Sequence, residues 1–304
     1  MLAQLVIRVD VDTRIGLKEG VPRLLDLFRR NALCASFFVS FGPDNTGRAL
    51  RRLKRFDFWV KMLRTNPLRL YGLRTLLSGT LLSPVPVAEG EPEVLQSILA
   101  GGHELGIHGY DHVHWQDDLE NMDERDIEAE LYQAKEIYER LIGTAPLSSA
   151  APGWKCTAKS LAVQDRLGFL YASDARGSCP FFPLDDGRAF KTLQIPTTLP
   201  TMDELLGRQN NMNGFLLSSL KEGLNVHTVH AEIEGRPYLS LFEEFLNEVR
   251  RREVEVIPLR RVAESIIKNG LAVVPRSPIT RARVAGRSGW VAAQGVSAEQ
   301  AQQS

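Results

Sequence analysis

Cysteine and long apolar runs are scarce in this sequence, and their scarcity disfavours several classes of protein. The 304 residues contain 3 cysteines, widely separated and without a C-x-x-C pair. This argues against a disulfide framework and a cysteine-ligated zinc site, and it favours a reducing compartment. No run of about 18 apolar residues, the length that spans a membrane, is present. The first residues, MLAQLVIRVD, also lack the basic segment of a signal peptide. We therefore expect neither secretion nor a membrane-spanning helix.

Net charge is absent as well, since 37 lysines and arginines balance 37 acidic residues. The overall charge therefore predicts no nucleic-acid partner, and no nucleic-acid-binding motif is visible. Residues 46–90, however, form a basic amphipathic insert in which arginines and lysines are interleaved with aromatic residues and leucines. Such a segment suits either a helical hairpin packed on the protein core or an element that lies on a membrane surface. On the second interpretation, the residues predicted to contact the membrane are Arg51, Arg52, Trp59, Lys61 and Arg64.

Strands and helices alternate through most of the chain. A β-branched run at residues 5–9 precedes an amphipathic helical pattern at residues 19–33, and the same succession recurs up to about residue 268. This alternation predicts parallel strands joined by helices, in either a (β/α) barrel or a doubly wound sheet. Residues 270–304 show little periodicity and are predicted to be a disordered tail. In both architectures, chemistry gathers at the carboxyl ends of the strands.

Polar residues stand at such strand ends. The segment VIRVDVD ends in Asp10 and Asp12, where an unpaired buried carboxylate would be costly. His108 follows the predicted strand HELGI, and His112 comes four residues later in HGYDH, so that on a helical turn both rings would face one way. His230 ends the predicted strand NVHTVH. We therefore expect these side chains to meet at one edge of the sheet.

Two histidines and one carboxylate form a ligand set that leaves open positions on a divalent metal ion. One of Asp10 and Asp12 can then be the third ligand, while the other takes a proton from water. The alternative is that the two acids cap a helix or pair with Arg8 or Arg14. His230 is either a proton donor to a leaving amine or a buried structural histidine.

The motifs VDVD, HGYDH and TVH together resemble the NodB-type carbohydrate deacetylases, which are metal-dependent. The resemblance implies an α/β fold with a distorted (β/α) barrel over residues 1–269, interrupted by the basic insert. It implies Asp10 as general base and His230 as general acid, with Asp12, His108 and His112 as metal ligands. Zinc is favoured as the metal, and cobalt, manganese, nickel and iron are also compatible with this set.

Further segments, among them QIPTTLPTMDE and HAEIEG, resemble one branch of that family. The branch removes the formyl group from 4-deoxy-4-formamido-L-arabinose carried on undecaprenyl phosphate, which yields formate and the free amine for lipid A modification and polymyxin resistance. This implies a peripheral protein on the cytoplasmic face of the bacterial inner membrane. The alternatives are a deacetylase of another N-acylated sugar or polysaccharide and a non-catalytic, metal-stabilised binding module.

The sequence departs from the general family pattern at one point. The arginine that orients the catalytic base in the family is missing from the matching segment, SAAPGWK, so Arg176 or Lys155 is expected to replace it. Glu232 and Glu234 are expected either to contact the sugar or to lie in water as loop carboxylates. The residues predicted to support the site or contact the substrate are Asp174, Arg176, Trp154 and Glu232.

Overall fold

A parallel sheet curls around the centre of the computed structural model, which describes residues 3–54, 58, 62 and 64–296. The strands are β1 (Ala3–Val11), β2 (Ser36–Val39), β3 (Glu104–Ile107), β4 (Ser148–Ser149), β5 (Tyr171–Ala172), β6 (Phe182–Asp185), β7 (Arg188–Ala189), β8 (Leu193–Gln194), β9 (Gly223–His230), β10 (Glu255–Val256), β11 (Arg276–Ala282) and β12 (Val291–Gln294). The central sheet runs β10-β1-β2-β3-β4-β5-β8, and β9 also pairs with β1. Thr198 and Leu199, just after β8, donate to the carbonyl of Val226 on β9, so the sheet closes on itself as a distorted (β/α) barrel. The barrel prediction is confirmed, and the doubly wound alternative is not.

Helices cover the outside of this barrel, mostly where the sequence predicts them. They are α1 (Val21–Arg30), α2 (Pro67–Leu77), α3 (Pro92–Ala100), α4 (His112–Asp118), α5 (Glu124–Ile142), α6 (Ala158–Leu167), α7 (Met202–Leu205), α8 (Met212–Ser218), α9 (Leu239–Arg251) and α10 (Leu259–Asn269). The longest, α5, begins at a capping box on Asp123 and ends at Gly143, whose φ of 84° is left-handed. No helix in the described part of the chain is both long and apolar enough to cross a membrane.

Side-chain alternation along β1 separates the core from the site. Ile7 and Val9 belong to the cluster that packs under the helices, whereas Val6 belongs to a second cluster inside the barrel. Since successive strand residues point to opposite faces, Arg8 and Asp10 share the interior side with Val6. The strand therefore carries two charged residues into the barrel, at its carboxyl end.

The C-terminal segment differs from the predicted disordered tail. β11 pairs in parallel with β6 and antiparallel with β12, which adds a second, four-stranded sheet. Val291 and Ala292 are buried, Ala292 in a cluster that includes Phe181. The small side chains of this segment give it no strong hydrophobic periodicity. Its pairing partner, β6, is distant in sequence, so the sequence did not indicate a strand here. The prediction of disorder is wrong for residues 271–296, while residues 297–304 lie outside the described part.

The basic insert contains helices, as predicted, while its last described part, residues 78–90, consists of turns and isolated bridges. Residues Thr46–Lys54 form a 3₁₀ helix, and α2 follows with a break at Gly72, where φ is 74°. Both segments pack beside the carboxyl ends of the barrel strands, where Leu50, Leu70 and Tyr71 line the main cavity. The insert is therefore part of the wall of the site.

Candidate metal centre and active site

Asp12, His108 and His112 form a compact cluster at the carboxyl end of the barrel. The Nε2 atom of His108 lies 3.2 Å from Oδ1 of Asp12, and that of His112 lies 3.3 Å from Oδ2. One ligand atom from each residue falls within 4.8 Å of the others, the only such group of three found among the described residues. The two histidines lie together, as the sequence predicts, but the predicted helical turn between them is absent. His108 follows β3 and His112 begins α4, with a loop between them.

The cluster fits a divalent metal ion. The Nδ1–H of His108 donates to the carbonyl of Ala150 at 2.8 Å. Its other ring nitrogen, Nε2, therefore faces Asp12 and is the atom that can bind a metal ion. Oδ1 of Asp12 is buried and accepts no hydrogen bond within the described residues, as expected of a ligand without its cation. Burial lowers the pKa of His112 to about 4 despite the nearby Asp12, so its imidazole is neutral and able to ligate.

Opposing forces act on the other two members of the cluster. Burial alone would raise the pKa of Asp12, but His112 and His108 hold it well below its usual range. Burial alone would lower the pKa of His108, but Asp10 and Asp12 raise it. Asp12 is thus held as the carboxylate that metal binding needs, while a metal ion bound at His108 would displace a proton from its Nε2 atom.

Asp10 is held beside this cluster by an arginine from its own strand. Both oxygens of Asp10 accept hydrogen bonds of 2.7 Å from the Nε and Nη2 groups of Arg8, which is fully buried. The expectation that Arg176 or Lys155 orients Asp10 is therefore wrong. Arg176 donates instead to Glu204 and to the carbonyl of Leu199. The signal for Arg8 was present in the sequence, because residues two apart on a strand share a face.

His230 lies beside Asp10 because the two residues are register partners on β9 and β1. Its backbone N–H donates to Glu234 at 2.8 Å, and its Nδ1 atom is buried with no hydrogen-bond partner among the described residues. The ring meets that of Trp154 edge-on, with centroids 6.3 Å apart. His230 is thus fixed at the backbone, and its imidazole faces the cavity that Asp12 and His112 also line.

Glu232 and Glu234 are not loop carboxylates in water, because both are fully buried. Oε1 of Glu232 accepts from the backbone N–H groups of Asp12 and Thr13 at 2.9 and 2.7 Å, so it fixes the end of β1. A Cβ atom on Gly16 would stand 2.2 Å from the same oxygen, so only glycine fits there. Burial raises the pKa of Glu234 to about 8.

Two further acids brace the histidine ligands. Asp174 accepts from the backbone N–H of Ala151 at 2.7 Å, and the carbonyl of that same peptide group, from Ala150, accepts from His108. Asp111, which the sequence reasoning missed, is the N-cap of α4 and accepts from the N–H groups of Val113 and His114. The supporting role predicted for Asp174 agrees with this position, whereas Asp111 was overlooked although it lies inside the HGYDH motif.

Trp154 packs against two arginines beside the site. Its indole N–H donates to Thr197 at 3.0 Å, and the guanidinium of Arg176 lies 5.1 Å from its ring centroid. Arg287, from the C-terminal segment, stacks on the same ring at 4.4 Å. Arg176 thus lies against Trp154, the ring that also meets the ring of His230.

Two of the five residues predicted to contact a membrane point inward. Arg52 donates to Asp117 and Gln116, each at 2.7 Å, and Arg64 donates to the backbone carbonyl of Gly286 at 2.8 Å. The fold already engages both guanidinium groups, which disfavours these two side chains as membrane contacts. Arg51 is exposed, while Trp59 and Lys61 lie outside the described residues.

The chain resembles a sequence family, two curated proteins and solved structures. A family model described as polysaccharide deacetylase matches residues 7–172. A Shewanella sediminis (strain HAW-EB3) protein named "Probable 4-deoxy-4-formamido-L-arabinose-phosphoundecaprenol deformylase ArnD" is 36% identical over 293 residues, covering 95% of this chain and 93% of the relative. A protein of the same name from Wigglesworthia glossinidia brevipalpis is 35% identical over 287 residues, covering 92% and 98%. The crystal structure of a probable polysaccharide deacetylase from Pseudomonas aeruginosa PAO1 has a TM-score of 0.60 at 18% identity, covering 88% of this chain and 92% of that one, which supports the fold.

Proposed function

This chain belongs to the polysaccharide deacetylase family, and on that premise we propose that it hydrolyses the formamide of 4-deoxy-4-formamido-L-arabinose linked to undecaprenyl phosphate. The products are formate and the free 4-amino sugar, still attached to the lipid. The observation that carries the proposal is the cluster of Asp12, His108 and His112 beside Asp10 and His230, in a chain whose deformylase-named relatives match it almost end to end. We place the reaction in the modification of lipid A that confers resistance to polymyxin.

We assign the metal site to Asp12, His108 and His112, with zinc favoured and cobalt, manganese, nickel or iron also compatible. A divalent ion bound there supplies Lewis acidity, which polarises an acyl oxygen and lowers the pKa of water toward roughly 7. Asp10 takes the proton of the attacking water, and the fork of Arg8 keeps its carboxylate aimed at that water. His230, on the neighbouring strand, protonates the departing nitrogen so that the C–N bond breaks to a neutral amine.

We also propose that the insert rests on the membrane that carries the substrate. Leu68, Leu73 and Leu81 are 58%, 63% and 81% exposed, which is unusual for large apolar side chains beside a cavity. The exposed Arg51 and Arg74 lie in the same segment. Leucines that enter the apolar layer and arginines that meet lipid phosphates form the pattern of an interfacial element. We propose that the protein acts peripherally, on the cytoplasmic face of the inner membrane.

Formate release tests the reaction. The purified, metal-loaded protein would be given undecaprenyl-phosphate-linked 4-formamido-arabinose in detergent, with an N-acetylated sugar oligomer in parallel and a chelator control for both. We expect chelator-sensitive formate from the lipid-linked sugar alone. Acetate from the oligomer, with the lipid-linked sugar untouched, would favour the other deacetylase class. Neither product, from protein shown to hold metal, would favour a binding module.

Vesicle sedimentation tests the membrane contact separately. The variant Leu68→Ser/Leu73→Ser should sediment less with vesicles that contain anionic lipid, while its formate release in detergent stays near that of the wild type. Leu147→Ser is the matched control, because Leu147 is 43% exposed but stands at the amino end of β4, at the opposite end of the barrel. Equal sedimentation of all three proteins would refute the membrane contact and leave the reaction untouched.

A further inference from the structure

The wall of the cavity opposite the barrel carries two arginines that the reaction scheme does not use. Arg52 comes from the insert, Arg287 comes from the loop between β11 and β12, and both line the cavity that Asp12, His112 and His230 line. Their side chains are 17% and 11% exposed. Each has one guanidinium nitrogen that is buried and has no hydrogen-bond partner among the described residues, Nη2 of Arg52 and Nη1 of Arg287. Buried donors of this kind are rare and costly, so their retention calls for an acceptor.

The other contacts of Arg52 fix the direction of its free donor. Its Nε donates to Asp117 and its Nη1 to Gln116, both on α4, at 2.7 Å each. The guanidinium plane is therefore held by two neighbours while Nη2 is left over. A planar fork held in this way loses little conformational entropy when it binds an anion.

Arg287 is held by stacking on Trp154. Its Nη1 lies 3.7 Å from Oε1 of Glu204 and 3.9 Å from Oδ2 of Asp203, too far for hydrogen bonds. Oε1 of Glu204 already accepts from Arg176 at 2.8 Å. These acids attract Arg287 but do not satisfy its donor.

We propose that Arg52 and Arg287 bind the phosphodiester that joins the sugar to its lipid. The proposal rests on the proposed function, because that substrate carries its formamide and its phosphate on opposite sides of a single pentose ring. When the formamide reaches Asp12 and His112, the phosphate lies one ring away, still within the cavity. Guanidinium groups donate well to phosphate oxygens. The C-terminal segment, which lies beyond the region that the family model matches, thereby contributes a specificity residue.

A pair of soluble substrates isolates this interaction. One is the butyl phosphodiester of 4-formamido-4-deoxy-L-arabinose, and the other is the methyl glycoside of the same sugar, which has no phosphate. For Arg52→Gln and Arg287→Gln we expect KM for the phosphodiester to rise about 10- to 100-fold, the usual value of one charge-assisted hydrogen bond. Turnover of the methyl glycoside and the bound metal should stay at the wild-type level. Arg287→Lys should recover part of the loss, because it restores charge without the fork.

Arg283→Gln is the matched control, since it removes the same charge from an exposed position on the same segment. It should leave both substrates unaffected. Equal losses on both substrates, or no loss on either, would overturn the phosphate assignment. The same would follow if the wild type showed no preference for the phosphodiester over the methyl glycoside. Failure of the wild type to release formate from either sugar would instead refute the proposed reaction, so the two claims fail separately.

Discussion

Arg8 and Asp10 stand two residues apart on one buried strand, and the guanidinium of the first binds both carboxylate oxygens of the second at 2.7 Å. Nη1 of Arg8 donates to the carbonyl and the hydroxyl of Ser173, so the end of β5 is tied to the pair as well. The charge of Asp10 is thereby compensated inside the barrel, and the orientation of its carboxylate is fixed by local sequence alone. Arg8 thus makes the contact with Asp10 that the sequence led us to expect from Arg176 or Lys155.

Two substitutions of Arg8 separate the compensation of the Asp10 charge from the orientation of its carboxylate. Arg8→Met leaves the buried carboxylate of Asp10 unpaired and should cost about 3–5 kcal/mol of unfolding free energy, measured by urea denaturation. Arg8→Lys keeps the charge but loses the fork, so kcat should fall about 100-fold while bound metal is retained. Arg23→Lys, at an exposed site on α1, is the control and should change neither quantity. Wild-type turnover by Arg8→Lys would refute the orienting role.

The cap of α4 should control metal affinity, because His112 is the first residue of that helix. Asp111→Ala removes the acceptor for the N–H groups of Val113 and His114. We expect about 1 kcal/mol of lost stability and a 10- to 100-fold weaker metal affinity, as for other residues that position ligands. Isothermal titration with Zn²⁺ measures the affinity.

Asp123→Ala provides the comparison, since Asp123 caps α5 in the same way but does not hold a ligand. It should lose similar stability with no change in metal affinity. If both variants bound Zn²⁺ equally well, the cap of α4 would have only a structural role.

The buried Glu234 should make stability fall as pH rises. Burial raises its pKa from 4.5 to about 8, so the folded protein holds a proton that the unfolded chain has already released. Between these two values the unfolded state binds fewer protons, and stability declines with increasing pH by up to a few kcal/mol. Glu234→Gln carries no such proton and should remove this slope, measured as thermal melting points at pH 5.5 and pH 8. The exposed Glu244→Gln should keep the wild-type slope. A slope unchanged in Glu234→Gln would assign it to another group.

Most residues of the candidate metal centre could be predicted from the sequence, but few of the residues that surround and orient them could. Asp10, Asp12, His108 and His230 could be placed because each ends a short apolar run, and parallel strands bring such ends together. Arg8 was offered only as a partner in the alternative without a metal, because the sequence does not show which face of β1 enters the barrel. Arg287 was missed because its segment has no periodicity of its own and acquires its place only through pairing with β6, far away in the chain. The burial of Glu232 depends likewise on contacts across the sheet, since its oxygen meets the backbone of Thr13.

Two substitutions at the end of β1 divide metal binding from catalysis. Asp12→Asn removes a predicted ligand and should lose both the metal and formate release. Asp10→Asn keeps the three ligands, so it should bind metal normally while turnover is abolished. His230→Ala should likewise keep the metal and lose turnover. Retained activity in Asp10→Asn would show that another group takes the proton from water.

The most direct test of the metal-dependent mechanism is a titration of chelator-stripped protein with Zn²⁺ or Co²⁺, following bound metal and formate release together. The substrate is undecaprenyl-phosphate-linked 4-formamido-arabinose, and Asp10→Asn is titrated alongside the wild type. We predict that wild-type activity rises with bound metal and saturates at one ion per chain, while Asp10→Asn takes up the same ion and stays inactive. Formate release that is complete before any metal is bound would contradict the assignment of Asp12, His108 and His112.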